Sequence, residues 1–397
     1  MLETIRQFAE DQLDVPRGEA SEIRAAHSWY FAGREADIMA LWDSPRQREA
    51  YDWFTIEPAN LRTAFRWAAD HGDLDVAAPI ATYAGLLGTG VQTLEPTTWA
   101  EELIEPARTV DHPRLAFLYV IASQCFRTGR IEAAVGYNDA GQIVLGRSRD
   151  PLPHGIEAAL GAVYLVTGQP ERTAELCRAQ LARRRDTHIQ IWAWLVSALS
   201  VAGSRGEAMG CADGLIEAAE ATGNPSSLAC ALGAYGAAFR DADPVGALNA
   251  LGRGLVIARD SGTRAQVSAL AQVLAHLEAE HGDPVAAFDH LTLAIRNYHN
   301  AGNTTTIRTP LAVLAALFDR LGRYEPAATI AGFALSLFTA AAVPEITTAI
   351  THLRDVLGDQ TYESLARKGE AMTTAELVTY AYDQIDQART ELNAVSE

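Results

Sequence analysis

Apolar positions along the chain recur at helical spacing and almost nowhere alternate with polar ones. One such stripe consists of five apolar residues within eleven positions: Val267, Leu270, Ala271, Leu274 and Leu277. Spacings of three and four residues are typical of an amphipathic α-helix with one buried face. No stretch alternates over several residues as a half-buried strand requires. The pattern therefore predicts an all-α protein.

A helix–turn–helix unit recurs along the chain with nearly constant spacing. The segment Asp243-Pro244-Val245-Gly246-Ala247 returns 40 residues later as Asp283-Pro284-Val285-Ala286-Ala287. Related turns lie near positions 129, 168, 203, 242, 282 and 322, so successive steps are 39, 35, 39, 40 and 40 residues. A period of this length predicts an α-solenoid of tetratricopeptide-like repeats, in which each helix pair stacks on the next.

The residues at these turns have a physical reason to be there. Glycine occupies five of the six turn positions, where the left-handed backbone conformation costs it little. The exception is Ala242, whose helix we expect to end with the help of Asp243-Pro244. Pro170 and Pro284 open the second helix of their units, where the missing N–H is not needed. A small residue, mostly alanine, follows each turn and is expected to let the paired helices cross closely.

We expect three regions along the chain. They are an N-terminal helical segment over 1–110, the repeat array over 111–343 and capping helices over 344–397. A terminal segment with a polar outer face is what a repeat array requires at its end. Uninterrupted helices are predicted over three of the longer stretches, 18–42, 205–222 and 324–341.

Composition and charge exclude several functional classes. The chain has 397 residues, 48% of them hydrophobic, which is enough to bury a full core and excludes a disordered protein. Acidic residues outnumber basic ones 50 to 32, and the formal charge is −18. Such a field repels nucleic acid and anionic membranes, so neither is an expected partner. The apolar runs are interrupted and too short to cross a bilayer.

Four cysteines occur outside any metal-binding or disulfide spacing, namely Cys125, Cys177, Cys211 and Cys230. They indicate free thiols in a reducing cytoplasm. His276 and His281 lie about 140° apart around a helix and so cannot share one metal ion. Lys368, the only lysine, belongs to no phosphate-binding motif. We therefore predict no catalytic residue, no metal ligand and no cofactor.

Solenoids of this kind bind partners on the inner face, which the first helix of each pair lines. These helices are predicted over 113–128, 155–167, 188–202, 225–240, 264–281 and 305–321. The candidate groove residues on them are Tyr119, Arg127, Tyr164, Trp192, Tyr235, Arg240, Gln272 and Arg308. Which of them rotate inward is left open. The only basic cluster, Arg183–Arg185, either complements the dipole at a helix end or contacts an anionic ligand.

Segments near both ends resemble a bacterial, mainly actinobacterial, family of signal-transduction ATPases and LuxR-type regulators. The segments that carry the resemblance are Met1–Glu10, Glu57–Ala68, the Trp99 helix and 357–376. In that family an ATPase module and a winged helix precede such a region. The resemblance implies that this chain corresponds to the C-terminal tetratricopeptide-like region. Its ATPase, cyclase and helix-turn-helix activities do not carry over to these residues.

Two functional hypotheses of different class follow. The favoured one is a non-catalytic module of a signalling or transcription regulator, which binds a protein or peptide partner or a small-molecule inducer. Self-association is a further option within this class. The alternative is an all-α, hydrolase-like enzyme with a site assembled from dispersed residues. A buried, convergent set of titratable groups would favour the enzyme.

Overall fold

The computed structural model describes residues 17–147, 152–183, 186 and 188–396. Within these residues the chain forms helices joined by short turns and no strand, which confirms the all-α prediction. The segment Met1–Glu10, which contributes to the family resemblance, lies outside the described residues. Arg184 and Arg185 of the basic cluster lie outside them as well.

Six helices precede the repeats. They are α1 (Arg17–Gly33), α2 (Glu35–Trp42), α3 (Gln47–Ile56), α4 (Pro58–Asp70), α5 (Leu74–Val91) and α6 (Glu95–Thr109). Helix α5 is long and apolar enough to cross a membrane, but 72% of it is buried inside the protein. The absence of a side chain at Gly85 allows Ile121 to pack directly on its backbone. Helix α5 is therefore the central core helix of this region.

Six helix pairs follow and confirm the repeat. Their first members are α7 (Leu115–Ser123) with the 3₁₀ turn Gln124–Thr128, the 3₁₀ segment Pro153–Gly161 with α9 (Ala162–Val166), α11 (Gln190–Val201), α14 (Pro225–Phe239), α16 (Arg264–His281) and α18 (Arg308–Arg320). Their second members are α8 (Ile131–Arg147), α10 (Pro170–Ala182), α12 (Arg205–Ala212) with α13 (Leu215–Thr222), α15 (Pro244–Ser261), α17 (Pro284–Asn300) and α19 (Tyr324–Ala334) with α20 (Leu337–Ala342). Three helices complete the chain: α21 (Glu345–Leu357), α22 (Asp359–Glu370) and α23 (Thr374–Ser396).

Small residues allow the two helices of each pair to cross closely. The alanines that follow five of the turns are fully buried, namely Ala134, Ala208, Ala247, Ala287 and Ala327. In the second pair Thr173 takes this position, and its hydroxyl donates a hydrogen bond of 2.9 Å to the Gly161 carbonyl. A Cβ atom on Gly161 would lie only 2.9 Å from the Thr173 methyl group. Each pair is therefore held at a separation that a larger side chain would increase.

The turns follow the expected chemistry except at one glycine. Four turn glycines adopt a left-handed conformation with φ between +73° and +87°, namely Gly129, Gly168, Gly203 and Gly322. Gly282 does not, with φ at −125°. There the Glu278 carboxylate accepts a hydrogen bond of 3.0 Å from the Asp283 N–H, so a side chain provides the partner for this backbone group just after the helix end. At Ala242 the expected stop is present, because the Asp243 carboxylate accepts the Gly246 N–H at 2.9 Å.

The prediction of three uninterrupted helices was wrong. The stretch 18–42 divides at Arg34, and 205–222 divides at Gly214, which adopts a φ of +71°. The stretch 324–341 divides at Ser336, whose hydroxyl and the Thr339 hydroxyl cap each other's backbone N–H groups. A local backbone hydrogen bond from a serine or threonine competes with a continuous helix, and the apolar periodicity does not register it.

The superhelix closes on itself through contacts between its N-terminal helices and the later repeats. Gln47 of α3 is fully buried, and its amide nitrogen donates to the Trp42 carbonyl at 2.9 Å. Its amide oxygen accepts the Ser226 hydroxyl of α14 at 2.8 Å. Gln92, just after α5, donates to the Ser268 hydroxyl of α16 at 3.1 Å. We call this set of contacts the first seam.

A second seam joins the first two repeats to the last. The Thr305 hydroxyl donates to the Phe126 carbonyl at 2.6 Å, and the Thr305 N–H donates to the Arg127 carbonyl at 3.4 Å. Farther along, Leu337 of α20 packs against Gly168. The two seams bring distant helices together, so the inner face of the solenoid forms a partly enclosed space and not an open groove.

We predict that Gln47→Ala lowers the free energy of unfolding by about 1–3 kcal/mol, because it removes the acceptor of the buried Ser226 hydroxyl and one of the donors to the Trp42 carbonyl. Urea unfolding measures the change. Gln360→Ala, on an exposed position of α22, is the matched control and should stay within about 0.5 kcal/mol of the wild type. Equal stability of the two variants would contradict a seam that depends on Gln47.

Candidate functional site

A cavity of about 540 Å³ lies between the two seams. Its wall draws on every first helix of the repeats and on α5. Small residues of α14 provide much of the space, namely Gly233, Ala234, Ala237 and Ala238. The volume is in the range of pockets that hold a drug-sized molecule.

Most of the wall is apolar. Its larger apolar residues include Val120, Ile121, Phe126, Leu165, Val166 and Trp194. Polar groups are fewer and come from separate helices. An apolar wall with a small number of polar groups is the usual construction of a ligand site.

The structure places three of the eight candidate groove residues at this wall, namely Arg127, Arg240 and Gln272. The other five are directed away from the cavity, four of them to other helices and Tyr235 along its own helix. Tyr119 packs near Tyr137, Tyr164 donates to Asp139, Trp192 donates to the Cys211 carbonyl, Tyr235 stacks on Phe239, and Arg308 donates to the Phe333 carbonyl. The structure thus brings Arg240 and Gln272 together on one side of the cavity and Arg127 at the second seam.

Trp194, and not Trp192, is the tryptophan of α11 that lines the cavity. Residues two positions apart on a helix differ by about 200° around its axis, so the two indoles point to opposite sides of α11. Ser197 and Val201 also line the cavity and follow Trp194 at spacings of three and four residues. That helical stripe of small and polar residues is the signal that could have identified the inward face.

Several polar atoms of the wall have no hydrogen-bond partner within the described part of the chain. They are the amide oxygens of Gln92, Gln266 and Gln272 and the hydroxyl of Thr309. Buried polar groups in folded proteins almost always have a partner in the protein, in water or in a ligand. These four atoms are themselves almost completely buried, so the described residues around the cavity leave polar groups unsatisfied behind its surface.

A cluster of charged groups lies at the side of the cavity where α14, α16 and α21 meet. The Nδ1 atom of His276 accepts a hydrogen bond of 2.9 Å from the Arg240 guanidinium. Its Nε2 atom donates to the Glu345 carboxylate at 2.8 Å. These partners require neutral imidazole, and burial lowers the pKa of His276 accordingly, although Glu345 acts in the opposite direction.

Glu280 completes the cluster and differs from Glu345 in its charge. Burial first, and the neighbouring Glu345 carboxylate second, raise the pKa of Glu280 to about 7. Burial would also raise the pKa of Glu345, but the hydrogen bond that it accepts from His276 outweighs this effect and holds that pKa well below its usual range. Glu345 therefore carries the negative charge, and Glu280 retains a proton up to near-neutral pH.

The first chemical role to compare with the geometry of this cluster is metal binding. His276, Glu280 and Glu345 place ligand-type atoms within 4.8 Å of one another, an arrangement that sequence analysis missed because Glu345 lies 69 residues beyond His276. The Arg240 guanidinium, however, occupies Nδ1 of His276 and lies 3.5 Å from Glu345, where its charge opposes a cation.

As a catalytic site the cluster has limited access to the cavity. Arg240, Asp241 and His276 line the cavity, whereas Glu280 and Glu345 lie behind them. The cavity also contains the thiol of Cys230, but burial raises its pKa to about 12, so it is not a nucleophile at neutral pH. The geometry thus provides a convergent titratable set without an activated nucleophile beside it.

No protein-family model and no curated protein matches the chain, so the resemblance to signal-transduction ATPases stays a prediction. Among solved structures, the chain is similar to one described as "Crystal Structure of Rap Protein Complexed with Competence and Sporulation Factor". The identity is 14% over 92% of this chain and 99% of that chain, with a TM-score of 0.48. A likeness of this degree is too weak to carry an argument about ligand or function.

We predict that Glu280→Gln stabilises the protein at about pH 8 and that this gain disappears by about pH 5. The folded state of the wild type binds the Glu280 proton more tightly than the unfolded state does. The stability from this group is therefore present below the unfolded pKa of 4.5 and is lost as pH rises towards 7.

Glutamine cannot ionise, so the variant avoids that loss. At about pH 8 the free energy of unfolding of the variant should exceed that of the wild type by about 1 kcal/mol, a modest gain because the Glu280 carboxyl is partly solvated. Thermal unfolding across this pH range measures it, with Glu175→Gln on the exposed face of α10 as control. A Glu280→Gln effect that does not change with pH would contradict the assignment of the proton to Glu280.

Proposed function

We propose that the chain is a non-catalytic ligand-sensing repeat module, which takes a peptide segment of a partner or a small-molecule inducer into its enclosed cavity. The observation that carries this proposal is the cavity of about 540 Å³ with a largely apolar wall and unsatisfied amide oxygens. Such a wall matches a ligand with apolar surface and a few hydrogen-bonding groups.

The position of the cavity suggests how occupancy is transmitted. Its wall includes Gln92 of the first seam and Arg127 of the second, so a ligand contacts residues that hold the superhelix closed. A molecule that binds the closed form better than an opened form shifts the population towards closure. The change in closure is the signal that an attached or associated effector reads.

The context of such a module is a signalling or transcription regulator. The resemblance of the chain's ends to signal-transduction ATPases supports this context, in which the effector is an ATPase or DNA-binding module. The formal charge of −18 favours a protein partner over nucleic acid. Free cysteines at positions 125, 177, 211 and 230 support a reducing, cytoplasmic location.

Acid–base catalysis is the second candidate, favoured by the convergence of Arg240, His276, Glu280 and Glu345. The pKa of Glu280 near 7 would suit a general acid or base. Against this role, Glu280 and Glu345 lie behind the cavity wall, and both nitrogens of His276 are already hydrogen-bonded. These contacts support a structural connection between α14, α16 and α21.

We predict that Ala237→Phe, which fills the cavity from α14, lowers the affinity for Nile red at least about tenfold. This neutral apolar dye fluoresces strongly in an apolar environment and is expected to bind wild-type protein with one molecule per chain. Fluorescence titration gives the affinity, and circular dichroism verifies that the variant is folded.

The matched control is Ala221→Phe, which adds the same side chain on the exposed face of α13 and should bind the dye as the wild type does. Hydrogen exchange at the Thr305 amide, which bridges the second seam, should slow when the dye is bound. If Ala237→Phe and Ala221→Phe bind equally well, the cavity is not the ligand site.

A further inference from the structure

One of the three arginines that line the cavity has no acidic partner. Arg205 pairs with Asp241 at 2.7 Å, and Arg240 lies 3.4 Å from the same carboxylate. Arg127 pairs with no carboxylate of the residues that the structure describes. The only hydrogen bond that its side chain makes with the described residues runs from Nε to the Gln124 amide oxygen at 3.4 Å. Two of its three guanidinium nitrogens are therefore available to the cavity.

Arg127 is also partly withdrawn from solvent. Burial lowers the pKa of its guanidinium. The guanidinium carbon lies 5.7 Å from the centre of the Phe126 ring. An unpaired buried cation is costly and is rarely retained without a counter-charge. In a chain with 50 acidic and 32 basic residues, the lack of a partner for this arginine is a specific feature.

The backbone that carries Arg127 is held in place by the second seam. Thr305 donates to the carbonyls of both Phe126 and Arg127, and Gly129 then ends the turn in a left-handed conformation. The guanidinium is thus presented to the cavity from a fixed position. A fixed donor loses little conformational entropy when it binds a ligand.

A second hydrogen-bond donor lies close to Arg127. Tyr298 of α17 lines the cavity, is only 4% exposed and has no hydrogen bond to its hydroxyl from any described residue. Burial raises the pKa of this phenol, so it keeps its proton and can donate. Arg127 and Tyr298 both line the cavity and act on each other electrostatically, and a guanidinium with a phenol suits the two oxygens of one carboxylate.

The remaining wall indicates what carries the carboxylate. Gln272 lines the cavity, is partly exposed and has no side-chain hydrogen bond to any described residue, so its amide can pair with a peptide group of the ligand. A simple fatty acid has no such group. The apolar surface around Trp194 and Leu165 matches apolar side chains.

We infer that Arg127 and Tyr298 bind the free C-terminal carboxylate of a short, largely apolar peptide held in the cavity. This inference rests on the proposed function and specifies its ligand. Arg127 is already partly desolvated in the free protein, so part of the cost of bringing a carboxylate to it is met before the ligand binds. We expect a preference for free acids over amides of at least about tenfold.

The test uses a pool of synthetic pentapeptides built from Gly, Ala, Val, Leu and Phe, prepared once with free C-terminal acids and once as C-terminal amides. Mass spectrometry identifies the peptides that wild-type protein retains after gel filtration, and competition gives their affinities. The inference expects retention from the acid pool and at least about tenfold weaker binding of the matching amides. Equal binding of acids and amides overturns it while leaving the proposed function intact.

Two variants locate the contact. Arg127→Met should remove the preference for acids, whereas Arg308→Met should retain it. Arg308 is the matched control because burial lowers its pKa too, but it donates to the Phe333 carbonyl away from the cavity. A preference for acids that survives Arg127→Met overturns the assignment to this residue.

Further outcomes separate the two levels of the proposal. Retention of neither pool by wild-type protein overturns the proposed peptide ligand altogether. Octanoate that competes as strongly as the best peptide acid overturns the peptide part of the inference. The acid-versus-amide comparison uses only wild-type protein, so it stays decisive even if a variant fails to fold.

Discussion

Closure of the superhelix is the constraint on which the rest of the structure depends. The two seams join residues more than 170 positions apart, such as Gln47 with Ser226 and Phe126 with Thr305. Both seams consist largely of polar contacts to backbone carbonyls or buried hydroxyls. Without them the inner face would be an open groove exposed to water. With them it becomes a bounded cavity, in which the dielectric is low and each polar group has a larger energetic effect.

Two kinds of charged group with restricted access to water occur at the cavity, and they differ in whether a partner compensates them. At the junction of α14, α16 and α21, Arg240 and Glu345 are balanced through neutral His276. These groups satisfy one another, and their main effect is to tie the repeats to the C-terminal helices. Arg127 has no acidic partner among the described residues, although burial lowers the pKa of its guanidinium. That difference, and not the presence of charge as such, distinguishes a structural cluster from a position suited to a ligand.

Small residues have two distinct functions in this fold. Between paired helices, alanines such as Ala134 and Ala247 permit close crossing and are fully buried. On α14, Gly233 and Ala237 face the cavity and leave space there. The same residue types thus bring helices together on one side and keep the interior open on the other. Only the rotation of the helix decides which effect applies.

The sequence by itself determined the helices, the repeat and most of the turn chemistry. Apolar residues at spacings of three and four, and glycine or Asp-Pro at each turn, act over a few residues and can be interpreted without a structure. The same periodicity did not reveal the breaks at Gly214, which adopts a left-handed conformation, and at Ser336, where a local cap competes with the helix.

Only the tertiary structure decided which side chains meet at the cavity. Sequence analysis selected the correct first helices but could not assign their rotation, so Trp194 was missed and Trp192 was chosen. Local patterns do not show that Glu345 lies beside His276, or that Arg127 lacks an acidic partner among the described residues. Both relations depend on helices that are distant along the chain. Their physical origin is long-range closure, which depends on the summed twist of many repeats and has no signature in any one of them.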